Sequence, residues 1–278
     1  MTQILSGREV AKTMLQSIGR GLKAEGGAPG LAVIQVGEDP ASSIYVGRKE
    51  ARAKKLGFYS QRIQLAGDVS ETDLLAEITR LNLDVKVHGI LVQLPLPPHL
   101  NESKILESVA PQKDIDGFHS MNAGLLMQGR GGMAPCTPKG VMHILAHYEI
   151  ALEGLHAVVV GRSNIVGRPM MALLEQANCT VTICHSRTKN LQAHLKMADI
   201  VVAAVGKPKM IKGEWLKKGA VVIDVGINRL EDGSICGDVD FESAKEVASA
   251  ITPVPGCVGP TTIASLMENT LFAFAAFT

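Results

Sequence analysis

Short apolar runs alternate with segments of helical periodicity from one end of this chain to the other, a pattern that few folds can use. In the first half the apolar runs are LAVIQV (31–36), a weaker one over 59–65, and GILVQL (89–94), with helical patterns over 42–56 and 70–82 between them. In the second half they are HAVVVG (156–161), TVTICH (180–185), DIVVAAV (199–205) and AVVIDVG (220–226). Those four are rich in β-branched residues and almost continuously apolar, as expected of parallel strands buried on both faces. The pattern predicts an α/β fold of βαβ units with mostly parallel sheets flanked by helices. At about 150 residues per domain, 278 residues predict two domains. The stretch QGRGGMAPCTPKG (128–140), dense in Gly and Pro, marks the boundary, just before a helix over 139–148. A second such cluster, TPVPGCVGPTT (252–262), precedes a final helix on which Ile263, Leu266, Met267, Thr270, Leu271 and Phe274 form one stripe. That helix is expected to leave the second domain and pack back on the first. The domains are therefore expected at 1–138 with 259–278, and at 139–258.

Charge and composition exclude several classes. A net charge of +1, from 28 basic and 27 acidic residues, lacks the basic signature of a nucleic-acid binder. With 46% apolar residues the chain has the material for a core, which argues against disorder. The five cysteines, Cys136, Cys179, Cys184, Cys236 and Cys257, are scattered and never paired as CxxC, which fits neither a disulfide scaffold nor a zinc site, and no metal is expected. Reduced thiols in a cytoplasmic protein are the simple reading. No run approaches the roughly 18 apolar residues of a membrane span. Glu9 and Lys12 interrupt any signal-peptide core, and Val10, Met14, Leu15, Ile18 and Leu22 instead make one face of a domain helix.

The run 156–161 leads through GRSNIVGRP into an apolar helix over 170–177, so Gly161 and Gly167 bracket a strand-to-helix turn. A pyrophosphate gains there from backbone N–H groups and the helix dipole. The spacing is not GxGxxG, and a glycine-bearing loop that binds nothing is the alternative. The end of the next strand discriminates between cofactors. A site for NAD often carries an acid there for the ribose hydroxyls. Here the residues are His185, Ser186, Arg187 and Thr188, with no acid and one fixed cation. Arg offers a planar donor fork to a 2′-phosphate. Arg162 follows Gly161, so two guanidiniums could serve one phosphate, and the reading is NADP.

In the first half, Asp39-Pro40 makes a turn and Ser42 or Ser43 is expected to cap the helix that follows. Tyr45 and Lys49, four apart, share a helix face. Lys49 is a candidate proton carrier. Equally, Arg48, Lys49, Arg52, Lys54 and Lys55 form a basic run of the kind that is often only a solvated face. Gln93 closes the third strand before QLPLPP, either as a polar cap or as a hydrogen-bonding partner for a lysine, and one of the following prolines is a candidate cis residue. Asp116, followed by Gly117 in KDIDGFH, is either a turn former or an acceptor for an N–H-rich heterocycle.

Taken together, VGEDPASSIYVGRK, HGILVQLPLP, KDIDGFH, APCTPKG, VVVGRSNIVGRP, CHSRT, VIDVGIN, GDVD and TPVPGCVGP stand in an order that resembles the bifunctional methylenetetrahydrofolate dehydrogenase/methenyltetrahydrofolate cyclohydrolase family over essentially the whole chain. The resemblance implies an N-terminal folate-binding catalytic domain, a Rossmann-like NADP-binding domain and a homodimer. It implies oxidation of 5,10-methylenetetrahydrofolate by NADP, then hydrolysis of the methenyl product to 10-formyltetrahydrofolate. By motif position, Lys49 would be the key catalytic residue, Tyr45 would stack on the folate, Gln93 would tune Lys49, and Asp116 would anchor the pterin. Gly161, Arg162, Ser163, Gly167, Ser186, Arg187 and Ile227 would line the cofactor, and Pro253 and Gly256 would border the folate. Two residues depart from the family's usual PVPGGVGPMT. Cys257 stands for its second glycine, with about 1 kcal/mol of strain expected if φ there is positive and a thiol intruding near the folate. Thr261 replaces the usual Met at the start of the last helix. The alternatives are a dehydrogenase-only member, a shikimate-dehydrogenase-like NADP oxidoreductase, and a non-enzymatic NADP-binding scaffold.

Overall fold

The computed structural model describes residues 1–277. In chain order the elements are β1 (Gln3–Ile4), α1 (Gly7–Glu25), β2 (Gly30–Val36), α2 (Pro40–Leu56), β3 (Tyr59–Leu65), α3 (Glu71–Leu83), β4 (Gly89–Val92), α4 (Glu102–Ser108), α5 (Ser120–Met127) and α6 (Cys136–His147). They continue with β5 (His156–Val160), α7 (Gly167–Gln176), β6 (Thr180–Cys184), α8 (Leu191–Met197), β7 (Ile200–Ala203), β8 (Val221–Asp224), β9 (Asn228–Arg229), β10 (Ile235–Cys236), α9 (Phe241–Lys245), β11 (Ala250–Ile251) and α10 (Val258–Phe277). The chain divides into two compact units, one made of residues 14–136 with those from 263 onward, the other of residues 1–13 with 137–262.

The first unit is built on a parallel three-stranded sheet, ordered β3-β2-β4. Every residue of β2 is buried because both faces of the sheet are covered. Leu31 and Val33 face a cluster with Ile18, Val46, Ala53, Leu266 and Met267. The alternate residues, Ala32, Ile34 and Val36, face Leu74, Ile78, Leu81 and Ile105. This alternation is the period-2 geometry of a strand. It also shows the last helix returning to the first sheet, with Leu266, Met267, Thr270 and Phe274 of its stripe buried. The helix α2 is capped by Asp39, whose Oδ2 accepts the Ser42 N–H at 2.7 Å, and neither Ser42 nor Ser43 is the cap. Asp wins because Pro40 already occupies the first helical turn and the residue before it is held extended. Gly57, at φ 84°, ends the helix in the left-handed conformation.

The second unit carries a parallel six-stranded sheet, ordered β1-β11-β8-β7-β5-β6. Strands β7 and β8 are buried throughout and β5 nearly so. The expectation of burial on both faces fails for β6, which is half exposed because it lies at the sheet edge. Residues 1–13 also depart from the sequence expectation: Gln3 and Ile4 pair with Ala250 and Ile251 in this sheet rather than belonging to the first unit. Two residues carry too little pattern to reveal such a pairing. The strand β5 is flanked by β6 on one side and β7 on the other, so strand order reverses there, and in open α/β sheets such a switch point opens a crevice at the strand C-termini.

Two carboxylates are buried under the loops that follow β7 and β8. Asp224 Oδ1 accepts the N–H groups of Gly226 and Asp238, and its Oδ2 accepts that of Val239, each at 2.9 Å. Burial pushes the Asp224 carboxyl up from 3.8 to about 6, against these hydrogen bonds and with a smaller push from Asp238. The native state therefore keeps this proton to higher pH than the unfolded chain does. Its stabilising contribution is complete below the unfolded value and is lost as pH rises through the folded one. About two pKa units correspond to roughly 3 kcal/mol. Unfolding by urea is expected to show this group's loss between about pH 4 and pH 6, and Asp224→Asn is expected to remove that part of the pH dependence.

Candidate active site and cofactor site

In the three-stranded unit, α2 starts just past the C-terminal end of β2, and Gln93 follows β4, the neighbour of β2. The Lys49 Nζ donates to Gln93 Oε1 at 3.0 Å. The orientation of the Gln93 amide is fixed, because its Nε2 donates to the Leu94 carbonyl at 2.6 Å and its backbone N–H to Ile34. The Leu94–Pro95 peptide bond is cis, so the candidate cis residue is Pro95. The basic run on α2 divides by partner. Lys54 pairs with Glu50 on the solvated face at 2.7 Å, whereas Lys49 is half-buried and turned to Gln93. Tyr45, one turn earlier, is half-buried with the Arg48 guanidinium carbon 6.0 Å from its ring centroid.

Asp116 lies near this pair. Burial raises its carboxyl above the ordinary carboxylate range, Lys49's charge pulls the other way, and Asp114 adds a smaller upward push. The Cys136 thiol hydrogen-bonds to it. A carboxyl held up by burial keeps a proton to give. The turn-forming role belongs to the other acid of KDIDG: Asp114 accepts the N–H groups of Phe118 and His119, the latter at 2.8 Å, and the Asn122 amide at 2.8 Å. Gly117 is obligatory in this turn, since φ is 71° and an added Cβ would lie 2.5 Å from the Met133 carbonyl oxygen. The sequence reading missed Cys136 and Asn269. The Asn269 amide donates to the carbonyls of Ile115 at 2.8 Å and Ala134 at 3.0 Å, holding the segment that carries Asp116. No local signal could reveal a contact across 154 residues.

In the six-stranded unit, Gly161 follows β5 directly with φ at 129°, and a Cβ there would lie 2.2 Å from the Ala204 carbonyl oxygen. Gly167 has a different task. A Cβ there would lie 2.2 Å from the Gly161 carbonyl oxygen, so it lets α7 pack against the turn. Ser163 Oγ accepts the N–H groups of Val166 at 3.2 Å and Gly167 at 3.4 Å, capping α7 from inside the turn. Arg162 and Ser163 are exposed. Past β6, the adjacent strand, Thr188 Oγ1 accepts the His185 N–H at 2.8 Å and His185 Nδ1 accepts the Arg187 N–H at 3.1 Å. This tight turn presents Ser186 and Arg187 to solvent with no acid among residues 185–188. Ile227, in the loop after β8, is 52% exposed. The cradle fits a dinucleotide: the glycines admit backbone approach, the helix N-terminus adjoins them, and the neighbouring turn offers a guanidinium. We expect Gly161→Ala to destabilise this unit by about 1–3 kcal/mol and to weaken dinucleotide binding, as read by thermal unfolding and titration.

The loop after β11 contains a cis Val254–Pro255 bond and Gly256 at φ 114°. Cys257 does not occupy a positive-φ position, so the strain expected of it is absent. Gly256 makes the turn, and the Cys257 side chain is buried. Burial pushes its thiol up to about 12, which keeps it protonated. Thr261 is also buried, its hydroxyl donating to the Val258 carbonyl and lying where a Cβ on Gly140 would clash.

Residues 5–116 match the tetrahydrofolate dehydrogenase/cyclohydrolase catalytic domain, and residues 135–277 match the NAD(P)-binding domain of the same family. The Bifunctional protein FolD of Bordetella avium is 59% identical over 252 residues, covering 91% of this chain and 89% of its own. The solved FolD methylenetetrahydrofolate dehydrogenase/cyclohydrolase of Campylobacter jejuni is 46% identical, with a TM-score of 0.97 and 99% of each chain covered. The Trypanosoma brucei enzyme, solved with NADP cofactor and an inhibitor, is 36% identical, with a TM-score of 0.94 over 99% of this chain and 98% of its own. Two domain matches in the expected order, relatives of this identity across nearly the full length, and a lysine–glutamine pair beside a half-buried acid leave no room for a shikimate-dehydrogenase-like reading: the chain belongs to the tetrahydrofolate dehydrogenase/cyclohydrolase family.

Proposed function

We infer that the chain oxidises 5,10-methylenetetrahydrofolate with NADP and hydrolyses the 5,10-methenyl product to 10-formyltetrahydrofolate, with Lys49 as the catalytic residue of the hydrolysis. The observation that carries this reading is the 3.0 Å hydrogen bond from Lys49 Nζ to Gln93 Oε1 beside Asp116. An ammonium is repelled by a cationic methenyl carbon, so the hydrolysis needs the neutral amine. A neutral Lys49 gives one N–H to Gln93 and turns its lone pair to the attacking water. It takes one water proton as the C–O bond forms and returns it to the pterin N5 as the C–N5 bond breaks, while the second water proton leaves the carbinol oxygen for solvent as the formyl C=O forms. Asp116 holds the pterin, and Tyr45 stacks against it. Pro253 and Gly256 border the folate.

Bound NADP would supply the acceptor for the hydride that leaves the methylene carbon. The protein's share is orientation. Gly161 and Gly167 admit the pyrophosphate, Arg162 and Ser163 flank it, and Ser186 with Arg187 holds the 2′-phosphate. Ile227 gives the crevice an apolar wall. A homodimer is supported by the sheet edge at β3, where Tyr59 is 47% exposed. Light scattering is expected to give twice the 29.5 kDa chain mass, and a monomer would contradict the pairing. The five free, buried cysteines support a cytoplasmic location. Among the described residues no helix is long and apolar enough to cross a membrane. The hydrolytic half is tested by adding methenyltetrahydrofolate alone. The enzyme is expected to accelerate the loss of its absorbance over buffer, and an unchanged rate would overturn this assignment.

A further inference from the structure

The motif GDVD has no part in the sites described so far, yet its first acid is fully buried and wholly engaged. Asp238 Oδ2 accepts the N–H groups of Val205 at 2.6 Å and Gly206 at 3.0 Å, and its Oδ1 accepts that of Lys207 at 2.9 Å. Oδ1 also accepts the Asn228 side-chain amide at 2.9 Å. Three consecutive backbone N–H groups facing one anion form a nest, a concavity that ordinarily attracts an exogenous anion. Here the protein fills it with its own carboxylate. The geometry of the neighbours leaves no slack. A Cβ on Gly226 would lie 2.4 Å from Asp238 Oδ1, and one on Gly237 would lie 1.8 Å from Asp224 Oδ2. Asp224 in turn fixes the backbone of Asp238 and Val239.

The loops held in this way stand at the switch point. Residues 205–207 follow β7 and residues 225–228 follow β8, on the side of β5 away from β6. Ala204 donates its N–H to Val160 at 2.8 Å, and its carbonyl is the atom that forbids a side chain on Gly161. Ile227 precedes Asn228. A single carboxylate therefore sets the backbone on the far rim of the crevice opposite the Ser186–Arg187 turn.

We propose that Asp238 is a positioning residue of the NADP site, fixing loop 205–207 and Asn228 so that the crevice wall carrying Ile227 stands in place before the cofactor arrives. The proposal rests on the cofactor assignment made above. Asp238→Asn puts an amide donor against N–H donors, so the loop must move to relieve it. By calorimetric titration of the full chain, the dissociation constant for NADP is expected to rise on the order of tenfold or more. Amide hydrogen exchange is expected to speed up at Val205, Gly206 and Lys207. Hydrolysis of methenyltetrahydrofolate, which relies on Lys49 in the other unit, keeps its KM and kcat. That split is one that general destabilisation would not produce. A folded Asp238→Asn protein with NADP affinity within about twofold of the parent and unchanged exchange would overturn the proposal. Should that variant fail to fold, Asn228→Ala removes one contact only. It is expected to weaken NADP binding several-fold, and unchanged affinity there would overturn the proposal as well. Failure of the parent protein to bind NADP would instead sink the cofactor assignment, so the two failures are distinguishable.

Discussion

Lys49→Met is expected to lower the rate of methenyltetrahydrofolate hydrolysis by roughly 10²–10⁴-fold, the range a positioned proton carrier supplies, while the fold survives. Methionine matches the length and apolar stem of lysine but can neither take a proton nor donate to Gln93. Its loss leaves Gln93 Oε1, in a half-buried position, without that donor, while Nε2 keeps the Leu94 carbonyl. The structural cost is correspondingly small. Gln93→Ala, by contrast, leaves the amine chemically intact but free to swing. It is expected to fall short of the full Lys49→Met effect. Measuring the hydrolysis with circular dichroism as the fold control separates these outcomes. A Lys49→Met protein with near-normal turnover would remove Lys49 from the mechanism.

Arg187→Glu is expected to raise the KM for NADP by on the order of 10²-fold, with little change in the KM for NAD. A charge-assisted hydrogen bond to phosphate contributes about 1.5–3 kcal/mol, and the substitution replaces that attraction with repulsion. The turn can tolerate the change. Arg187 contributes its backbone N–H to His185, while its side chain is exposed. The carboxylate would also restore the acid that NAD sites often carry at this strand end. Equal losses with NADP and NAD would show that Arg187 acts on something common to both cofactors rather than on the 2′-phosphate.

Much of this was legible in the sequence because the signals were periodic or local. The alternation of apolar runs and helices located the main strands, and Tyr45 and Lys49 fell on one helix face because they are four apart. The turn from β5 to α7 announced itself through Gly161 and Gly167 between a strand and a helix. What stayed hidden was set by long-range contact. The pairing of Gln3–Ile4 with Ala250–Ile251 depends on two-residue strands with no period to read. The Asn269 contact to Ile115, and the engagement of residues 205–207 by Asp238, join segments that only the fold brings together. The N-cap of α2 is hard to read because three capping-competent residues, Asp39, Ser42 and Ser43, lie within five positions, and it is Pro40, by holding Asp39 extended, that chooses between them. Cys257 was misjudged because glycine-to-cysteine reads as strain only where φ is positive, and the neighbouring Gly256 takes that conformation.

The central claim is that one chain joins an NADP-dependent oxidation of methylenetetrahydrofolate to the hydrolysis of its product. The most direct test mixes methylenetetrahydrofolate with the purified protein and NADP, or NAD, and follows NADPH or NADH together with methenyltetrahydrofolate and 10-formyltetrahydrofolate. Reduced cofactor with NADP well above that with NAD, together with 10-formyltetrahydrofolate formed faster than methenyltetrahydrofolate hydrolyses in buffer, is the predicted result. Absence of turnover with either cofactor, or methenyltetrahydrofolate building up with no enzyme-dependent hydrolysis, would contradict it.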